Sequence, residues 1–389
     1  MGGTQPGSVL AAIGGPFREA LDTERFDIGV LGQSLIADRY VLTVRTAVAR
    51  QRHDHDSGET RERDRHDTGF AEIAVRGTRG RQTWVGGLAI EHDRYVPRDV
   101  PRFAYSFTTP GFFAQDDIDF RSWLRVSVSA RADFHNDYGG FFSPRVSALL
   151  RSTGWTTRLS VGRGFFAATP LTEETEAAGL SRLVQAGPLD AERGTSFSLD
   201  VTRAVGVVSI TGTMFASRIA DAVDVDRVTY AIGNLVDATT NIGAELLATV
   251  RRPPFALTGT YTYVRSRETE DGRRLDVPLT PRHSAGMVAM AESEDVGRVG
   301  LEVYFTGRQR LDVNPFRDES EPYVIVGLLA ERRFGRLRLF VNGENLTGVR
   351  QTRWDPLLRP SRATDGRWTV DAWAPLDGRT INGGIRIGF

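Results

Sequence analysis

The densest group of side chains able to do chemistry lies in RHDHDSGETRERDRHD, residues 52–67. It sets His53, His55 and His66 among Asp54, Asp56, Asp64 and Asp67. Imidazole nitrogens and carboxylate oxygens are the donors that hold divalent cations. The segment is equally rich in Arg and keeps no regular ligand spacing, so it reads as a hydrated external loop and no metal site is assigned. Glu173, Glu174 and Glu176 could pair for acid–base work, but no partner is placed for them, and a solvated turn in a long loop accounts for them. GRGF at residues 162–165 is too short to cradle a phosphate and falls in a strand pattern. Ser is plentiful, yet no His is placed to complete a nucleophilic triad. Asn345, Leu346 and Thr347 spell a glycosylation sequon, at what reads as a strand end. With Cys absent, disulfides, Cys-ligated zinc and thiol nucleophiles are excluded. The chain therefore reads as no enzyme, with no catalytic, cofactor or metal residues; its substrate-binding residues are unknown from sequence.

A more orderly set of charges consists of Arg125, Arg131, Arg158, Glu245, Arg251, Glu302, Arg338 and Arg386. Each alternates with apolar neighbours, and in a strand successive side chains point to opposite faces. Leu124, Val126, Val128 and Ala130 oppose Arg125, Ser127, Ser129 and Arg131. Ile242, Ala244, Leu246, Ala248 and Val250 oppose Gly243, Glu245, Thr249 and Arg251. Leu337, Leu339 and Val341 oppose Arg336, Arg338 and Asn342, and Ile381, Ile385, Ile387 and Phe389 oppose Asn382 and Arg386. Soluble strands usually run about five or six residues; these run to about ten, the length a tilted strand needs to cross a bilayer core. The charged set should then line a wet lumen, and the apolar set should face lipid.

Composition agrees. The 389 residues carry a net charge of zero, with all 49 basic residues Arg, so nothing points to nucleic acid. The longest uncharged apolar run, residues 324–330, is far short of the roughly 20 residues of a membrane helix. A mean hydropathy of −0.27 fits a barrel that shows lipid only alternate residues. Residues 1–15 have no basic start followed by an apolar run, so no signal peptide is visible.

Short connections are expected near residues 34–38, 78–81, 152–154, 204–206, 252–254, 293–297 and 334–336. Long polar loops are expected near 53–67, 95–108, 166–193, 221–240, 266–281, 307–321 and 348–379. Tight turns on one rim and long loops on the other mark an outer-membrane barrel. Trp84, Trp123, Trp155 and Phe255 follow short turns, which places them at the periplasmic interface; Phe215, Tyr261, Tyr263 and Phe305 fall near the opposite strand ends. The count is about seventeen strands, beginning near residues 25–33 and 40–52. Bacterial single-chain barrels have even numbers, so a strand is miscounted or strands are missing. The direction of travel favours the second, since a last strand ending in the periplasm makes the first counted strand one that descends from outside.

The C-terminal third carries a more specific signal. FVNGENLTGVRQTRWDP (residues 340–356), with Asn345 and Leu346 closing the penultimate strand, precedes PLDGRTINGGIRIGF (residues 375–389). The latter leads through Pro375, Gly378 and Arg379 into a last strand ending on Phe389. This pair resembles the end of a TonB-dependent receptor, and SPRVSALL, LSVGRGFFAATPLTEET, LDAERGTSFSLDV and PLTPRHSAG continue the resemblance in order. It covers residues 25–389, after an irregular segment of residues 1–24.

The resemblance implies an all-β, antiparallel transmembrane β-barrel in the bacterial outer membrane, with about 17 strands present of an expected 22, open or gapped. It implies that a plug and about five strands are missing, with TonB engaged only through that plug. Its further partners are outer-membrane lipid, the barrel-assembly machinery through Phe389, and a small nutrient ligand. The implied function is TonB-dependent uptake of a large scarce nutrient, such as siderophore-bound iron or cobalamin. A plugless passive channel is the alternative, and a soluble β-rich hydrolase would partition into buffer without detergent. No loop carries a readable code for the ligand.

Overall fold

In the computed structural model the described residues are 19–57, 60–172, 179–185, 187–226, 229–270, 272–361 and 369–388. Glu173, Glu174, Glu176, Phe389 and the first eighteen residues lie outside them. The strands are β1 (Glu19–Ile36), β2 (Tyr40–Ser57), β3 (Thr60–Arg79), β4 (Gln82–Pro97), β5 (Tyr105–Arg121), β6 (Leu124–His135) and β7 (Gly139–Ser152). Next come β8 (Trp155–Phe166), β9 (Val184–Gln185), β10 (Glu192–Val205), β11 (Val208–Ala220), β12 (Val223–Val225), β13 (Ala231–Asn234) and β14 (Thr239–Arg252). The last are β15 (Phe255–Glu270), β16 (Arg273–Asp276), β17 (His283–Ser293), β18 (Gly297–Thr306), β19 (Tyr323–Phe334), β20 (Leu337–Glu344) and β21 (Thr380–Ile387). Eighteen belong to one antiparallel sheet. Because β16 is a short return on β15, seventeen strands follow one another across the wall, the number the alternation predicts. β9, β12 and β13 form a separate small sheet.

Adjacent register rows show why the wall has two faces. One row runs Arg125, Leu149, Arg158, Asp200, Thr213, Glu245, Thr262, Ser284, Thr306. Its neighbour runs Val126, Ala148, Leu159, Leu199, Met214, Ala244, Tyr263. One residue of slip would exchange them. Among the described residues the apolar side has no second layer: Val341, Ile385 and Ile387 are 57%, 69% and 59% exposed, and Leu339 is exposed too. Large apolar surface left uncovered over a whole sheet face is what lipid covers. The rows also climb. Trp84, Asp116, Val128, Val146, Val161, Phe197, Ala216 and Ile242 are directly paired in sequence, yet Trp84 starts β4 beside a tight turn and Ile242 lies near the far rim. That drift is the stagger of tilted strands.

Tight turns fall on one rim at residues 37–39, 80–81, 122–123, 153–154, 206–207, 253–254, 294–296 and 335–336. The 122–123 turn adds to the expected set. Trp84, Trp123, Trp155 and Phe255 all stand on this rim, and Trp123, Trp155 and Phe255 are exposed there.

Three expectations are corrected. Residues 53–67 are not a loop: β2 and β3 pair without interruption from Tyr40↔Gly77 to Ser57↔Thr60. They form a hairpin rising past the apolar face, which ends at the row Arg50–Asp67–Arg94. Second, the looped rim is not uniformly long-looped, since residues 136–138 turn tightly between β6 and β7. Third, Tyr261 and Tyr263 lie mid-strand, because β15 extends to Glu270, and Phe215 faces the polar side, paired with Gly243.

Candidate functional site at the looped rim

The polar face carries charged side chains, several of them ion-paired. Arg125 donates two hydrogen bonds of 2.7 Å to Asp119. Arg131 donates to Asp133 at 2.7 Å and lies 3.8 Å from Glu91. Arg338 and Arg298 both lie 3.5 Å from Glu331, whose side chain is 6% exposed. Arg158 opposes Asp200, Glu245 opposes Thr213, and Arg386 opposes Arg338. Glu302 accepts the Tyr304 hydroxyl at 3.3 Å, and Arg251 shares the Glu245 side of β14. The eight charged residues read from alternation thus share one face, and the register distributes them around it.

Nearer the looped rim this face turns aromatic. His66, Tyr95 and Tyr105 share one register row, and their rings meet at 5.7–6.4 Å. Tyr105 stacks on Phe107 at 4.5 Å, Phe107 meets His135 at 4.7 Å, and His135 meets Tyr138 at 4.9 Å. Such spacings are those of attractive ring pairs. The ladder is roofed by loops: Tyr95, Val100, Phe103, Leu180, Leu183, Val225 and Ile232 form a buried apolar cluster. Glu62 at the top of β3 anchors the roof, accepting hydrogen bonds from the backbone N–H groups of Leu180 at 2.9 Å and Ser181 at 2.8 Å. Arg102 donates to the carbonyls of Ser181 and Leu183, each at 3.1 Å.

The histidines and aspartates of residues 52–67 are divided among partners. His53 Nδ1 lies 3.0 Å from Asp64, and His66 Nε2 lies 2.6 Å from Asp93 on β4. Arg61 pairs with Asp54. Arg63 holds Asp99 through Nη2 at 2.8 Å and Nε at 3.1 Å. The hydrogen bond from Arg61 holds the Asp54 carboxyl below its ordinary pKa, and Arg63 does the same for Asp99. The Asp93 hydrogen bond raises the His66 pKa against the opposing effect of burial. Among the described residues no group of three or more His, Asp or Glu side chains is arranged to hold a metal ion.

A second loop cluster closes the other side of the rim. Leu311, Trp373 and Ala374 are buried against Leu279, Tyr323 and Trp354. Gln351, fully buried, donates to the Asp371 carbonyl at 2.9 Å and accepts the Trp373 N–H at 2.8 Å. Asn345 supplies the clamp. Its amide donates to the carbonyls of Val349 at 2.8 Å and Asp377 at 3.1 Å, and its oxygen accepts the Val349 N–H at 2.9 Å. Arg379 donates to the Leu346 carbonyl at 2.7 Å. The Asn-Leu and Gly-Arg pairs therefore fasten the two ends of loop 345–379 to each other. Gln351 and the aromatic ladder were missed in the sequence. Their residues come from separate strands or loops, and only long-range register joins them.

Chemically, the partly exposed rings of His66, Tyr105 and Tyr138 offer faces for stacking, with His, Asp and Arg groups for hydrogen bonding, while Tyr95, Phe107 and His135 are buried beneath the roof and support them.

Comparison with known proteins places the fold. Residues 20–346 match the family described as "TonB dependent receptor-like, beta-barrel". A ferric enterobactin receptor (PfeA) mutant from Pseudomonas aeruginosa aligns with TM-score 0.76 and 17% identity, over 95% of this chain and 62% of that one. The ferric yersiniabactin uptake receptor FyuA from Yersinia pestis aligns with TM-score 0.68 and 16% identity, over 96% and 62%. The FrpB iron transporter from Neisseria meningitidis gives TM-score 0.72 and 11% identity, over 94% and 64%. No curated protein matches. The chain spans under two thirds of the length of these receptors.

Proposed function

The chain belongs to the TonB-dependent receptor β-barrel family, whose members sit in the bacterial outer membrane, and from that premise we propose that it serves uptake of a large, scarce nutrient. The tight-turn rim is then periplasmic and the looped rim external. The ligand class we favour is an iron-bearing siderophore, the kind of ligand named for PfeA and FyuA; a cobalamin-like ligand is the second choice. One observation carries the reading: the external loops are folded, with buried apolar clusters and a clamp of their own, over an aromatic and polar inner face. A passive pore needs no such roof, whereas a capture site needs loops held in place.

Capture would begin on the rings and charged groups of the rim. Transport past the rim would be driven through TonB acting on a plug. The polar inner face, on which Arg125, Arg131, Arg298 and Arg338 are paired with carboxylates, gives a hydrated path. Two measurements on the purified protein test the proposal. Ferric enterobactin is the first probe, read by quenching of rim fluorescence, with vitamin B12 second. Saturable binding of either probe, weakened when Tyr105 and Tyr138 are changed to Ala, supports capture. Large steady currents in a planar bilayer, with neither probe bound, would establish the passive channel instead.

A further inference from the structure

The lipid-facing side carries a feature that capture does not use. On β8, β10 and β11 the apolar row Val161–Phe197–Ala216 is followed, two residues nearer the looped rim, by Arg163–Thr195–Arg218. The next row is Phe165–Arg193–Ala220. Three exposed arginines thus stand directly above the apolar band. Elsewhere on this side Arg50 with Asp67 and Arg267 with Asp276 are neutralised in place. Among the described residues Arg163, Arg193 and Arg218 have no such partner.

Beside them the wall opens. β7 stays paired with β6 as far as Gly139, but its ladder with β8 starts only at Arg145↔Gly162. The ladder stops at Pro144, which has no N–H to donate. Phe141 and Phe165 stack across the gap at 3.9 Å and 5°. The gap holds a cavity of about 320 Å³ lined by Phe141, Phe142, Phe165, Arg163, Arg193 and Arg218. Val146 and Val161, paired just below, continue the apolar surface downward.

We propose that this cavity binds the phosphorylated headgroup of an outer-leaflet lipid, with an acyl chain lying against Val146, Val161 and Phe197. Guanidinium groups bind phosphate oxygens in bidentate geometry, and phenyl rings sit readily at headgroup depth. The lipid, rather than free phosphate, is indicated because the site continues into a lipid-facing apolar surface.

The test is native mass spectrometry of the full chain in detergent, titrated with diphosphoryl lipid A and, separately, with phosphatidylcholine. Lipid A should be retained selectively, and millimolar inorganic phosphate should leave it bound. The triple variant Arg163→Gln, Arg193→Gln, Arg218→Gln should lose on the order of a hundredfold in affinity, at roughly fivefold per arginine beside an anionic surface. The triple lysine variant should keep most of it. Heat-modifiable gel migration checks that each variant is folded. Equal retention of both lipids, displacement by free phosphate, unchanged binding in a folded glutamine variant, or equal loss in both folded variants would overturn the proposal.

Discussion

His66 shows how a residue's partner decides its behaviour. Its imidazole is partly buried, which alone would favour the neutral ring, yet the Asp93 carboxylate 2.6 Å away favours the charged one and prevails. A histidine whose folded pKa is raised contributes stability that is complete below about 6.5, the unfolded value, and lost as pH rises through the folded pKa. NMR titration should therefore find His66 titrating above the free imidazole value. In Asp93→Asn it should fall to that value or below, since burial then acts with the main opposing charge removed. An unshifted titration in the variant would show that Asp93 is not the cause. Asn345 is the second such residue. Its φ of 47° is left-handed, so Asn345→Gly keeps the backbone while removing the clamp. Leaving the buried partners unpaired should cost roughly 1–3 kcal/mol locally, read as faster protease cleavage within loop 345–379 with the barrel intact. Cleavage at the original rate would show that the packed Trp354 and Trp373 hold the loop without it. Little of this site was legible in sequence. Asn345 stood out through a family motif, but nothing near His66 in the chain announces Asp93, 27 residues on.

At the scale of elements, strands were legible where opposite faces differ in polarity. β14 and β20 show this: Ala244, Leu246 and Ala248 alternate with Glu245 and Thr249, and Leu339 with Arg338. The top of the β2–β3 hairpin was not legible, because both faces there are charged and alternation vanishes; cross-strand pairs such as His53–Asp64 and Arg61–Asp54 hold it. Cross-strand fit also depends on glycines beneath rings. Gly87 pairs with Phe113, and Gly384 with Phe340. A Cβ at Gly87 would stand 2.6 Å from both the Ile73 carbonyl oxygen and Phe113 Cζ. Because one obstacle is backbone, Gly87→Ala should destabilise by about 1–3 kcal/mol through overpacking, lowering the urea midpoint for unfolding from vesicles. Gly212→Ala, with nothing within 4 Å of the added carbon, is the control and should not fall. A Gly87 variant as stable as this control would show that the ring moves aside freely.

For the whole molecule, the alternation of turns has a consequence of direction. β1 and β21 are the first and seventeenth strands of one antiparallel meander, so both run from the looped rim toward the tight turns. Among the described residues no ladder joins them. An antiparallel seam between them requires an odd number of interposed strands, whatever segment supplies them. The count and the direction of travel were both legible in sequence, since they need only turns and alternation; the folded roof was not, because it depends on contacts between distant loops. The central claim is that one face of this wall meets lipid and the other meets water, and the absence of cysteine makes it directly measurable. Single cysteines placed in turn from Ala244 to Arg251 of β14, in cells carrying the protein in their outer membrane, can be exposed to a membrane-impermeant maleimide small enough to enter the lumen. Labelling should alternate: strong at Glu245, Leu247, Thr249 and Arg251, and weak at Ala244, Leu246, Ala248 and Val250. Uniform labelling, or strong labelling on the Leu246 face, would contradict the account.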